Sequence, residues 1–184
     1  MGDEDLKIPL AGFLGEAAGS IRRFELEPTT VTLDDDLALA GPISGAFEVS
    51  RTNRGVYVSG DLRTALAMEC ARCLGPATVP LDVAIREEVL PRIDVATGAI
   101  LDASVEPNVA RLTDHHELDL EPLLREGISL TAPIAPLCRP DCPGLCPECG
   151  ARLADGHEAH DADDIDPRLA ALRGFQVDAD AQTE

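Results

Sequence analysis

Phe47-Glu48-Val49-Ser50-Arg51-Thr52-Asn53-Arg54-Gly55-Val56-Tyr57-Val58 is the stretch of this 184-residue chain from which the fold class is read. Phe47, Val49 and Arg51 alternate with the polar Glu48 and Ser50, Asn53 to Gly55 have turn chemistry, and Val56 and Val58 resume a period of two. Such alternation on both sides of a short polar turn predicts a β-hairpin with one buried face. The same period continues downstream at Leu66, Met68 and Cys70, and after Gly75-Pro76 at Leu81, Val83 and Ile85. The first half therefore reads as antiparallel β, with Cys70 and Cys73 where one strand ends and turns into the next.

The pattern then changes. Residues 93–117 lose periodicity and gain acids, Gly and Pro, so they are expected to form a loop or mobile connection. At Asp119 a helix begins, with Asp as N-cap, Pro122 tolerated in the first turn, and Leu120, Leu123, Leu124 and Ile128 on one face. Pro133 ends it, which sets a helix over 119–132 packed on the sheet. Asp166-Pro167 announces a short last helix with Leu169 and Leu172, stopping at Gly174. The expected fold is α+β, mainly antiparallel sheet with one packed helix and a C-terminal cysteine-rich zinc-knuckle segment. Its parts are a β-rich domain over 1–137, a zinc-binding segment over 138–160 and an acidic tail over 161–184.

Charge and composition exclude several function classes. Fifteen basic residues against 34 acidic ones give a formal net charge of −19, which argues against a general nucleic-acid coat or a basic membrane-surface protein. Five aromatics and no Trp argue against sheets that stack RNA bases on rings. The longest uncharged run, Gly127 to Cys138, has 12 residues and two prolines, whereas a spanning helix needs about 20. The start, Met-Gly-Asp-Glu-Asp-Leu-Lys, has acids where a secretory signal has bases, so the expected location is a reducing cytoplasm. Only residues 51–92 have an arginine excess (Arg51, Arg54, Arg63, Arg72, Arg86 and Arg92), so any anionic partner would approach there. An ordinary solvated sheet face explains the same excess.

In a reducing compartment, six cysteines read as metal ligands before disulfides. They fall as Cys70-x2-Cys73, then 64 residues, then Cys138-x3-Cys142-x3-Cys146-x2-Cys149. With His157 and His160 they make eight candidate ligands, the number that two four-coordinate zinc ions require. Cys146-Pro147-Glu148-Cys149-Gly150 has the form of a knuckle, since Gly permits the positive φ that turns backbone amides toward the sulfurs. One grouping pairs Cys146 and Cys149 with His157 and His160, leaving Cys70, Cys73, Cys138 and Cys142 to meet across the fold. The competing grouping joins Cys70 and Cys73 to Cys146 and Cys149. The first is favoured. His157 and His160 also read as solvated residues of an acidic stretch, and His115 and His116 as loop residues.

Catalytic readings fare worse. Cys142-x3-Cys146-x2-Cys149 has the spacing of radical-SAM cluster loops, yet only 35 residues follow and no run of βα units surrounds it. Ferredoxin spacing fails for want of consecutive x2 intervals. A hydrolytic zinc site needs an open position beside a carboxylate base, and Glu148 lies between two ligands, where its side chain is expected to point away. No Gly-rich phosphate loop, nucleophile elbow or His-Glu-x-x-His occurs. The expectation is a protein that is not an enzyme, with no catalytic residues.

Three stretches carry a resemblance. Glu69-Cys70-Ala71-Arg72-Cys73-Leu74, the block Pro133-Ile-Ala-Pro-Leu-Cys138-Arg-Pro-Asp-Cys142-Pro-Gly-Leu-Cys146-Pro-Glu-Cys149-Gly150, and Asp166-Pro-Arg-Leu-Ala-Ala-Leu172 resemble the YceD family of large ribosomal RNA subunit accumulation proteins. The cysteine block is the specific part. The resemblance implies a role in synthesis, processing or stability of large-subunit rRNA, with no enzymatic activity established for the family, and it supports grouping Cys70, Cys73, Cys138 and Cys142. Phosphate neutralisation drives nonspecific RNA affinity, and a chain of net charge −19 has few groups for it. The expected partners are therefore basic ribosomal proteins or assembly factors, held electrostatically, with limited rRNA contact at Arg51, Arg54 and Arg72. The alternatives are a thiol- or zinc-responsive regulator and a metal-dependent hydrolase acting on RNA.

Overall fold

The computed structural model describes residues 6–33, 37–102, 104, 106–156 and 168. The chain divides into two compact units, residues 1–142 and 143–184. In the first, the hairpin read from the sequence is the centre of a six-stranded sheet. Strand β4 (Ile43–Arg51) and strand β5 (Val56–Glu69) pair antiparallel, with Val49 opposite Val58 and Arg51 opposite Val56. Thr52 closes the turn: its amide donates to the Gly55 carbonyl at 3.0 Å, and its Oγ1 accepts from the amides of Arg54 and Gly55.

Around this pair the sheet runs β2 (Ile21–Thr29), β4, β5, β6 (Pro76–Leu90) and β7 (Ala110–Arg111), with β3 (Ala38–Leu39) also on β5. Strands β5 and β6 pair over 14 residues, from Val56 opposite Val89 to Glu69 opposite Pro76. This ladder is long enough to carry the cysteine turn well beyond the centre of the sheet. Strand β7 lies parallel to β6, so the sheet is mixed rather than purely antiparallel. A second, two-stranded sheet joins β1 (Lys7–Pro9) to β8 (Glu117–Asp119), with the short helix α1 (Ala11–Leu14) between β1 and β2.

Residues 93–117 are mostly irregular, but β7 and the start of β8 fall among them. Such two- and three-residue strands carry too little alternation to be seen in sequence. Helix α2 (Leu120–Thr131) lies within one residue at each end of the expected helix, and the Asp119 side chain accepts from the Glu121 amide as N-cap. Leu120, Leu123, Leu124 and Ile128 are its buried residues. They meet the inward faces of the strands: Phe47, Val49, Val56, Val58, Leu62, Leu66, Leu81, Val83 and Ile85. A Cβ on Gly127 would lie 3.0 Å from Val83 Cγ1, so glycine is what lets α2 sit this close to β6. Among the described residues no helix is long and apolar enough to cross a membrane. The helix expected over 166–174 lies outside the described residues, apart from Arg168.

Candidate metal centre

Beyond Glu69 the β5–β6 connection folds into a tight turn. The Cys70 amide donates to the Gly75 carbonyl at 2.8 Å and the Leu74 amide to the Cys70 carbonyl at 2.9 Å. Leu74 has φ of 53°, the left-handed region that a non-glycine residue enters at a cost. The Ala71 amide donates to the Pro136 carbonyl at 2.8 Å, which brings the chain leaving α2 onto this turn. Arg72, between the two cysteines, donates from its guanidinium to the Cys142 carbonyl at 3.1 Å.

These contacts gather Cys70, Cys73, Cys138 and Cys142, with all four Sγ atoms within 4.8 Å of one another. Cys70 Sγ lies 3.8 Å from Cys142 Sγ, and Cys73 Sγ 3.8 Å from Cys138 Sγ. A tetrahedron of zinc–sulfur bonds of about 2.3 Å has edges of about 3.8 Å, so the sulfur spacing fits one thiophilic cation. All four thiols are free rather than disulfide-bonded. Cys70, Cys73 and Cys142 are buried and pack with Ala77, Val79 and Leu137, while Cys138 is exposed.

Electrostatics follow from the amides. The backbone N–H groups of Cys138, Cys73 and Arg72 turn toward the Cys70 sulfur and bring its thiol down to about 6 against the opposing effect of burial. Cys138 is pushed up to about 12, chiefly by hydrogen bonding with Cys142 and then by desolvation and the other two thiols. For Cys73 the Gly75 amide favours the thiolate, but burial and the neighbouring thiols of Cys70 and Cys142 outweigh it and raise the pKa. Cys70 is thus prepared as a thiolate, whereas Cys73 and Cys138 resist ionisation among the crowded sulfurs. A divalent ion would supply the compensating charge, and four thiolates leave it no open position for a substrate.

In the second unit, Cys146 and Cys149 form a knuckle of the same make. The Cys146 amide donates to the Ala151 carbonyl at 2.7 Å and the Gly150 amide to the Cys146 carbonyl at 2.9 Å, with Gly150 at φ of 72°. Leu145 bridges Arg152. The amides of Cys149 and Glu148 lower the Cys146 thiol. Its expected companions His157 and His160 lie outside the described residues.

The arginines singled out from sequence have intramolecular partners. Arg51 donates from Nε to the Leu14 carbonyl at 3.0 Å and from its guanidinium to the carbonyls of Gly55, at 2.8 Å, and Thr52. It pins α1 to the hairpin turn. Arg54 pairs with Glu106, and Arg72 braces Cys142 as described. The role of Arg72 was not legible in sequence, since its acceptor is 70 residues away. Asp114 pairs with Arg92 at 3.3 Å, and Glu117 accepts from Thr113 Oγ1 at 3.3 Å.

Fold and site together define a mixed β-sheet protein whose sheet end and helix exit converge on a four-cysteine cluster. The chain belongs to the YceD family: the family model, described as large ribosomal RNA subunit accumulation protein YceD, matches residues 58–176. Uncharacterized proteins of Mycobacterium bovis and Mycobacterium tuberculosis are 40% identical over 126 residues, covering 68% of this chain and 58% of theirs. A Zea mays protein named large ribosomal RNA subunit accumulation protein YCED homolog 1, chloroplastic, is 24% identical over 165 residues, covering 78% of this chain and 53% of its own length. The chain therefore spans less than two thirds of the curated relatives it matches. No solved structure matches it.

Proposed function

We propose that the chain is a non-enzymatic factor supporting the accumulation of large-subunit ribosomal RNA through contacts with basic ribosomal proteins or assembly factors. In this reading Cys70, Cys73, Cys138 and Cys142 hold a structural zinc ion, and Cys146 and Cys149 take part in a second site. Family membership carries the rRNA role. The sulfur spacing supports the ion, because four sulfurs within 4.8 Å fill a tetrahedral coordination sphere. The protein-mediated route is favoured by charge: the net charge is −19, and Arg51, Arg54 and Arg72 each already have acceptors within the chain. A cytoplasmic setting belongs to the same reading.

The deciding measurement offers the protein total large-subunit proteins and protein-free large-subunit rRNA separately, at physiological salt. Capture of basic proteins that survives nuclease is expected. Capture of bare rRNA with no ribosomal protein bound would replace this reading with direct RNA binding through the 51–92 arginines. Elemental analysis of protein purified without chelator is expected to return one or two zinc ions per chain, and a value of zero overturns the metal assignment.

A further inference from the structure

Strand β2 is an edge of the six-stranded sheet: among the described residues it pairs with β4 on one side only. A cleft of about 360 Å³ borders this strand, lined also by Leu6 and Ile8 near β1, by Phe47 of β4 and by Leu120 at the start of α2. Consecutive residues of β2, from Phe24 to Thr29, border it. Successive side chains of a regular strand point to opposite faces, so Phe24, Glu25 and Leu26 together on one cleft bring the strand edge to it, while between Leu26 and Thr29 the pairing with β4 is irregular. Phe24, Leu26 and Ile8 are only half-buried, although all three pack against the main core.

The rim has a definite charge. Glu25 and Glu27 are exposed and border the cleft, and neither has an ion-pair partner among the described residues. Of the other acids on the strands of this sheet, Glu48, Asp61 and Asp82 are ion-paired, with Arg23, Arg86 and Arg63. In sequence Asp34, Asp35 and Asp36 follow soon after, and residues 1–50 hold ten acids against three bases.

We infer that this cleft is a docking site for an extended segment of a basic partner protein, one that alternates apolar residues with Lys or Arg. The segment adds a strand to the free edge of β2, places its apolar side chains over Phe24, Leu26 and Ile8, and sets its cations beside Glu25 and Glu27. Two other occupants fit the charge poorly. The chain's own C-terminal stretch, residues 154–184, has nine acids against two bases, the same sign of charge as the rim. A second copy pairing β2 with β2 about a two-fold axis would set Glu25 and Glu27 against the same residues of its partner. The inference deepens the protein-mediated reading above and names where that partner is held.

The test uses the full chain and three labelled ten-residue peptides followed by fluorescence anisotropy. The first alternates valine and lysine, the second valine and glutamate, and the third repeats the first with every second backbone amide methylated. Only the first is expected to bind, with affinity falling at least tenfold between 50 and 300 mM salt. Glu25→Lys with Glu27→Lys, both on the exposed rim and checked for unchanged circular dichroism, is expected to weaken binding at least tenfold. Equal binding of the glutamate peptide, equal binding of the methylated peptide, or no effect of the double substitution overturns the proposal. So does a protein dimer that the double substitution dissociates while no peptide binds, since the occupant is then a second copy. Peptide binding is read without ribosomal material, so failure of the rRNA reading leaves it standing. Ribosomal proteins captured equally by the double variant would remove the cleft and leave that reading intact.

Discussion

At the scale of single residues, the four-cysteine cluster depends on groups that are not themselves cysteines. Arg72 spans the two halves of the site: it lies between Cys70 and Cys73 in sequence and holds the carbonyl of Cys142 in space. Partners that orient ligands cost about 10–100-fold in metal affinity when removed. Arg72→Ala is therefore expected to weaken zinc retention by about tenfold in competition with a chromophoric chelator, and Arg72→Lys, which keeps a donor but loses the planar fork, to fall between. Unchanged retention in Arg72→Ala would show that the Ala71–Pro136 bond and the ligands alone fix the geometry. The two knuckles also make a comparison at this scale. The residue after the second cysteine is left-handed in both, supplied by Gly150 in one and by Leu74 in the other. Only the first meets the requirement without a steric penalty.

At the scale of elements, the sheet is organised by close approach of β4 and β5. A Cβ on Gly60 would lie 2.5 Å from Phe47 Cβ and 2.9 Å from the Ala46 carbonyl oxygen, and the neighbouring Phe24 and Phe47 rings stack at 5.3 Å. Backbone cannot yield here without shifting the whole β4–β5 register. Gly60→Ala is expected to destabilise the protein by about 1–3 kcal/mol in urea denaturation, the range for overpacking. A loss below about 0.5 kcal/mol, the level of an ordinary surface substitution, would mean that the two strands separate at little cost. Placed next to β2, the same stacked pair keeps Phe24 half-buried at the cleft, so the packing of the hairpin and the proposed docking surface share a residue.

At the scale of the molecule, the β core and the cysteine site are separable sources of stability. The main core runs from Leu6 to Ile128, and the cysteines form a second small cluster with Ala77 and Leu137, joined to the main core through Val79. Metal removal is expected to open only the second. In hydrogen exchange, a chelator should expose the amides of Cys70, Ala71 and Leu74, which are bonded within the site, while Val58, Leu62 and Val83 in the long ladder stay protected. Global loss of protection would make the ion a folding requirement, as in isolated zinc fingers. Retained protection everywhere would mean that the turn stands without a cation.

Local signals in the sequence determined the main elements and the candidate cysteine ligands. Alternation from Phe47 to Val58 requires a hairpin because strand side chains repeat every two residues. The stripe from Leu120 to Ile128 with its Asp119 cap requires a helix because helical ones repeat every 3.6. Cysteine spacing marked the knuckles for the same reason, since both sulfurs of each come from one tight turn. The meeting of Cys70 and Cys73 with Cys138 and Cys142 is a different matter. It depends on how far the β5–β6 ladder extends and where α2 lets the chain out, so spacing left two groupings open. Tertiary structure likewise decided that Arg51, Arg54 and Arg72 are engaged within the fold, that β7 runs parallel to β6, and that an apolar cleft with an acidic rim lies beside β2. Apart from the bonds of Arg51 to Thr52 and Gly55, each of these joins residues far apart in the chain, as Arg51 does with Leu14, and sequence periodicity reports only which face a residue takes, not what stands opposite it.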